Sequence, residues 1–174
     1  MAAVRRLAAA AMAGCLLLAS PVGAAATDAD ILREAQDRAL IAELMWNYVR
    51  AIDTLNEDAY AAVFTPDGVF GAGATAARGH AALRKMVADL KKGRADREAK
   101  GEPKQPPTEH ILTNVHIAFV DRDHARMDSY WMTVFPGAPN TQPPRLAAAG
   151  RGIDELVRVD GKWLIKTRNV APQD

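Results

Sequence analysis

The 174 residues carry 22 basic and 21 acidic side chains, 49% hydrophobic residues and one cysteine. So even a balance leaves no basic footprint for nucleic acid. The cysteine is Cys15, inside the apolar start of the chain, so the remainder can form no disulfide, thiolate nucleophile, iron–sulfur cluster or Cys-ligated zinc.

Residues 1–24 read as a secretory signal peptide. Arg5 and Arg6 make a positive start, Leu7 to Ala19 an apolar run, and Pro21-Val22-Gly23-Ala24-Ala25-Ala26 a stretch of small residues suited to cleavage. The run is shorter than the about 20 apolar residues a membrane span needs, which argues against an uncleaved anchor and leaves no span after cleavage. Met12-Ala13-Gly14-Cys15 suggests a lipidation site, but Leu16-Leu17-Leu18 continues the apolar run where a mature lipoprotein turns polar. The expected destination is the periplasm or the medium. Residues 25–174 are of a length that suits one domain around one core.

Thr27 with Asp30 predicts a capping box opening a helix that runs to about Ala51. Ile41, Leu44, Met45, Tyr48, Val49 and Ile52 recur at spacings of three and four and form its apolar face, with Asp53 at the end of that face. Asn56 is a good cap for a second helix, with Tyr60, Val63 and Phe64 on its buried side. Pro66-Asp67-Gly68 predicts its end and a turn, and Val69-Phe70 a short strand. Gly71-Ala72-Gly73-Ala74-Thr75-Ala76 fits a dinucleotide fingerprint superficially, but it lacks the strand–turn–helix context and is expected to be a loop or edge strand. A third helix is predicted from His80 to Lys92, with Leu83, Met86, Val87 and Leu90 inward and Gly93 just past its end. The polar stretch from Gly93 to Pro107 reads as a solvated loop.

From Glu109 the period changes to two. Ile111, Thr113, Val115, Ile117 and Phe119 are expected on one face, and His110, Leu112, Asn114, His116 and Ala118 on the other. Asp121-Arg122-Asp123 predicts a turn, and a second strand covers about Ala125 to Phe135. Pro136 to Pro144 is expected to be a loop. A third strand spans about Leu146 to Val159, the Asp160-Gly161 hairpin follows, and the last strand runs from Trp163 to Val170. Helices first and a meandering antiparallel sheet afterwards argue an α+β fold.

Of the four histidines, His80 at a helix start and His124 beside a turn are expected to be exposed. His110 and His116 share one face of a regular strand but stand about 20 Å apart at the usual rise, too far to hold one metal. With no H-E-x-x-H pair, no metal site is expected, and no G-x-S-x-G elbow or P-loop occurs. Acid–base chemistry remains, and Asp53 and His110 are its candidates. Spacing does not pair them: a helix-terminal Asp is commonly a cap or solvated, and a strand His commonly structural.

Several stretches together resemble the SnoaL-like branch of the nuclear-transport-factor-2-like (NTF2-like) superfamily. They are Ile41-Ala42-Glu43-Leu44, Tyr48-Val49-Arg50-Ala51-Ile52-Asp53, Phe64-Thr65-Pro66-Asp67-Gly68-Val69-Phe70, Gly79-His80-Ala81-Ala82-Leu83, His110-Ile111-Leu112-Thr113-Asn114 and Asp160-Gly161-Lys162-Trp163-Leu164-Ile165 with Arg168. The match runs from about Asp37 to Val170. It implies a curved antiparallel sheet packed on three N-terminal helices as a cone with a pocket in its mouth. This branch includes scytalone dehydratase and hexachlorocyclohexane dehydrochlorinase, which use an Asp–His dyad. By the resemblance, Asp53 matches the aspartate, His110 the proton-abstracting histidine, Tyr48 a pocket-lining position and Arg168 a basic pocket residue. Asn114 is expected to help shape the pocket, and strand alternation alone turns Trp131 toward it. The implied activity is a cofactor-independent lyase or isomerase acting on a small apolar or aromatic molecule. The alternatives are a non-catalytic exported ligand-binding domain and an assembly module, since the fold commonly forms homo-dimers or homo-trimers. The lysine-rich stretch before His110 is longer than the family pattern, and the dehydratase's full set of tyrosines has no clear counterpart.

Overall fold

The computed structural model describes residues 27–102, 104, 106–137 and 142–172. The expected signal peptide and part of the expected 136–144 loop lie outside them. The long first helix, α1 (Asp28–Asp53), opens on the capping box: Thr27 Oγ1 accepts the Asp30 N–H, and Thr27 donates back to the Asp30 carboxylate. The whole predicted stripe from Ile41 to Ile52 is buried. The short helix α2 (Glu57–Ala62) starts at Asn56, whose side chain accepts the Ala59 N–H at 3.0 Å.

Three expectations fail in the next segment. Helix α2 ends at Ala62, before Pro66-Asp67-Gly68, and strand β1 (Phe64–Phe70) runs through that tripeptide where a turn is expected. The turn chemistry is absorbed as a bulge, and Thr65 Oγ1 donates to Asp67 Oδ1 at 3.0 Å. A Cβ on Gly68 would stand 2.8 Å from the Phe64 Cβ and 2.9 Å from the Thr65 carbonyl, so this bend requires glycine. After a 3₁₀ turn at Gly73–Thr75 and a two-residue edge strand β2 (Ala77–Arg78), helix α3 spans Gly79–Ala99. Gly93 thus lies inside the helix, and much of the expected loop is helical. Lys92 pairs with Asp96 one turn on and supports the extension. Leu90 is 49% exposed rather than core.

Strands β3 (Glu109–Phe119), β4 (His124–Phe135), β5 (Arg145–Val159) and β6 (Lys162–Asn169) form an antiparallel meander. Asp160 and Gly161 both take positive φ at its last turn, as a two-residue hairpin of primed type requires. The six-stranded sheet has the order β2-β1-β6-β5-β4-β3. It is mixed, because β1 and β6 run parallel; the expected antiparallel sheet needs that correction. The crossover that joins them contains α3 and four strands, so local pattern could not reveal the pairing.

Strand β3 corrects the expected faces. An extra residue sits between Thr113 and His116 relative to β4, and Asn114 adopts φ 51° there. A bulge inverts the alternation beyond it. His110, Leu112, Ile117 and Phe119 therefore share the concave face; Leu112, Ile117 and Phe119 pack on the core, and His116 is turned away and exposed. Similar shifts in β5 and β6 help bend the sheet around α1. Asp37 of α1, 2% exposed, fastens the helix to the β5–β6 hairpin: Trp163 Nε1 donates to it at 3.2 Å, and Arg158 pairs with it closely. Burial pushes its pKa up, but the Arg158 and Trp163 hydrogen bonds outweigh burial and hold it below the usual value.

Candidate functional site

The open end of the cone brings the last residue of α1 against the start of β3. Asp53 Oδ1 lies 2.7 Å from His110 Nδ1, and the His110 backbone N–H donates to the same carboxylate at 3.1 and 3.3 Å. The Asp53 side chain is 10% exposed and that of His110 25%. An ionised carboxylate only accepts hydrogen bonds, so Nδ1 carries the proton and a neutral imidazole leaves Nε2 as the acceptor. The backbone bond ties the orientation of the ring to the start of the strand.

His110 faces a cavity of about 230 Å³ that Tyr48, Leu112, Trp131, Thr133 and Arg168 also line. A neighbouring lobe of about 430 Å³ shares Tyr48, His110 and Thr133 and extends to Met86 and Arg94 of α3. Trp131 is held through its indole N–H and packed against Gly150. Nε1 donates to the Val170 carbonyl at 2.9 Å and the Arg151 carbonyl at 3.2 Å. Gly150 lies under the ring, where a Cβ would approach Cζ2 to 2.7 Å.

Arg168 is 1% exposed. Its guanidinium stacks 4.3 Å from the centre of the Tyr48 ring, and Nη1 donates to Asp154 Oδ2 at 2.5 Å. Burial alone would lower its pKa, but Tyr48 and Asp154 hold it above the usual value, so the residue is a permanent cation. Asp154 is fully buried, and burial pushes it up to about 6 against the pull of Arg168. Burial likewise raises the Tyr60 hydroxyl well above its usual range, which keeps it neutral beside Tyr48.

The structure thus gathers His110, Tyr48, Trp131 and Arg168 at one cavity, with Asp53 bonded to the His110 ring beside it. Asn114 does not join them: it is exposed on the β3 bulge, where its side chain accepts from Thr113. His80, expected to be exposed, is half-buried with Nε2 3.0 Å from the Phe64 carbonyl, while His124 is exposed beside Asp121. Among the described residues, no three His, Cys, Asp or Glu side chains gather as a metal site. The sequence pattern gives no sign of Asp154 beside Arg168 or of Arg94 at this cavity. Counting back from the Asp160-Gly161 turn without a bulge sets Ile153 opposite Arg168; the shift at Glu155 brings Asp154 there instead. Arg94 is hidden in the sequence because its segment has the polar, aperiodic composition of a solvated loop.

The profile of the SnoaL-like domain matches residues 33–169. No curated protein matches the sequence. A protein from Novosphingobium aromaticivorans proposed to be a scytalone dehydratase superposes with a TM-score of 0.63 at 22% identity, over 80% of this chain and 85% of that one. ActVI-ORFA of Streptomyces coelicolor gives 0.65 at 20% identity, over 79% and 95%. An NTF2-like protein with a cystatin-like fold from Novosphingobium aromaticivorans gives 0.64 at 21%, over 84% and 88%. With a domain match across most of its length, the chain belongs to the SnoaL-like family, and its fold is that of the NTF2-like structures it superposes on.

Proposed function

We propose that the protein is a cofactor-independent acid–base enzyme, a lyase or isomerase, acting on a small, largely apolar molecule. The observation that carries the reading is the 2.7 Å contact of Asp53 with His110 Nδ1 at the wall of an apolar cavity. Asp53 orients the ring, and Nε2 takes a proton from carbon. In an elimination, the C–H electron pair becomes the new C=C bond while the leaving group departs from the neighbouring carbon with its own electrons. In an isomerisation, the imidazolium returns the proton to a different carbon. The carboxylate neutralises the imidazolium while it exists. Tyr48 and the permanently charged Arg168 stand where they can stabilise an enolate-like oxygen or a leaving group.

Action outside the cytoplasm, after cleavage near residue 24, and assembly as a homo-dimer or homo-trimer belong to the same proposal. Among the described residues, no helix is long and apolar enough to cross a membrane. The test is a screen of small carbon acids for deuterium uptake or elimination in D₂O, read by NMR. The wild type is expected to turn over at least one of them. His110→Ala, with an unchanged circular dichroism spectrum, is expected to lose about 100-fold or more. Equal turnover by that variant removes His110 from the mechanism, and no turnover by the wild type favours a ligand-binding domain.

A further inference from the structure

The walls of the His110 cavity are apolar and aromatic, apart from threonine hydroxyls and two arginines, and among the described residues no carboxylate lines it. The two arginines differ. Arg168 has its charge answered by Asp154 at 2.5 Å. Arg94 is half-buried and donates through Nη2 to a neutral group, the Thr108 hydroxyl, at 3.1 Å. Other cations of α3 have acidic partners: Arg84 pairs with Asp58, Lys85 with Asp89, Lys92 with Asp96 and Lys91 with Glu57. Among the described residues, no carboxylate is within pairing distance of Arg94. A guanidinium has five N–H donors, and Thr108 uses one. A partly desolvated cation with spare donors, facing an apolar cavity, favours an anionic ligand group that it can bind in two-point fashion.

We propose that Arg94 is the anion-binding residue of this cavity, and that the ligand is a small aromatic or alicyclic acid. Its carboxylate sits on Arg94, and its ring lies toward Tyr48 and Phe70, within the lobe that His110 also lines. This deepens the functional reading above and rests on it for the choice of cavity. The carboxylate anchors the molecule at the α3 side, so the carbon that loses the proton lies part-way along the ligand. Arg94 is then a specificity-determining residue, and the base remains His110.

The experiment compares phenylacetate with its neutral amide, phenylacetamide, on the purified mature protein by calorimetric titration at neutral pH and low salt. The acid is expected to bind about tenfold tighter than the amide. Arg94→Gln is expected to bring that ratio close to one while leaving the amide's affinity unchanged, and Arg94→Lys to restore part of it. His110→Asn is expected to keep the ratio, so loss of the base role and loss of the anion site are read separately. A ratio near one in the wild type, an undiminished ratio in Arg94→Gln, or no binding of the acid at any accessible concentration overturns the proposal. Arg94→Met, with its fold checked by circular dichroism, guards against a misfolded Gln variant.

Discussion

Asp53 receives the backbone N–H and the ring N–H of the same histidine, so one carboxylate sets both where β3 begins and which imidazole nitrogen stays bare. Arg168 is anchored differently, by a buried acid and an aromatic face. The acid in that anchor, Asp154, carries a pH dependence. Its pKa is raised from 3.8 to about 6 by burial, so between these values the folded protein holds a proton that the unfolded chain has released. Its contribution to stability is full below about pH 4 and is lost as the pH rises through about 6. Asp37 works in the opposite sense: its lowered pKa contributes stability that is lost as the pH falls through it. The two trends overlap in a global melt, so the measurement is site-specific. Carboxyl-carbon NMR is expected to show Asp154 titrating near pH 6; a midpoint near 3.8 contradicts its buried placement.

Helix α3 and the strand bulges separate what pattern reveals from what it hides. The α1 stripe was legible because apolar spacings of three and four report a buried face directly. Past Gly93, α3 has no buried apolar residue, so its helical pairing of Lys92 with Asp96 left no hydrophobic signal, and glycine followed by charge read as an end. The bulges of β3 and the β5–β6 pair turn on one inserted residue each, which a period-two count cannot see. One of them removed His116 from the face of His110, and the other brought Asp154 to Arg168. Gly93→Ala distinguishes the two readings of α3. Inside the helix, the added Cβ meets only the Arg97 Nη1 at 3.8 Å, an ordinary contact. Stability by urea unfolding is expected to rise by about 0.5–1 kcal/mol. A left-handed glycine past a helix end would instead lose stability on the same change.

The cone works because α1 lies along the concave face and is pinned by acids at two points, Asp37 inside the helix at the β5–β6 hairpin and Asp53 at its last residue against β3. Core packing along α1 holds the helix between those two points, and the cavity occupies the end the core leaves open. The order of motifs carried the family and the helix-then-meander plan. The parallel β1–β6 pairing was not legible, since its partners lie about a hundred residues apart and meet only in the finished fold. The pairing of Asp53 with His110 came from family resemblance rather than spacing, because an acid and a histidine 57 positions apart give no local sign of meeting. The account stands on the bare nitrogen that this meeting creates. Long-range ¹H–¹⁵N NMR of the histidine side chains measures it without any substrate. The neutral His110 ring is expected to carry its proton on Nδ1, with Nε2 giving the signal of an unprotonated nitrogen, and Asp53→Asn is expected to weaken that preference. A His110 ring protonated on Nε2 in the wild type, or a tautomer indifferent to Asp53→Asn, would contradict the account.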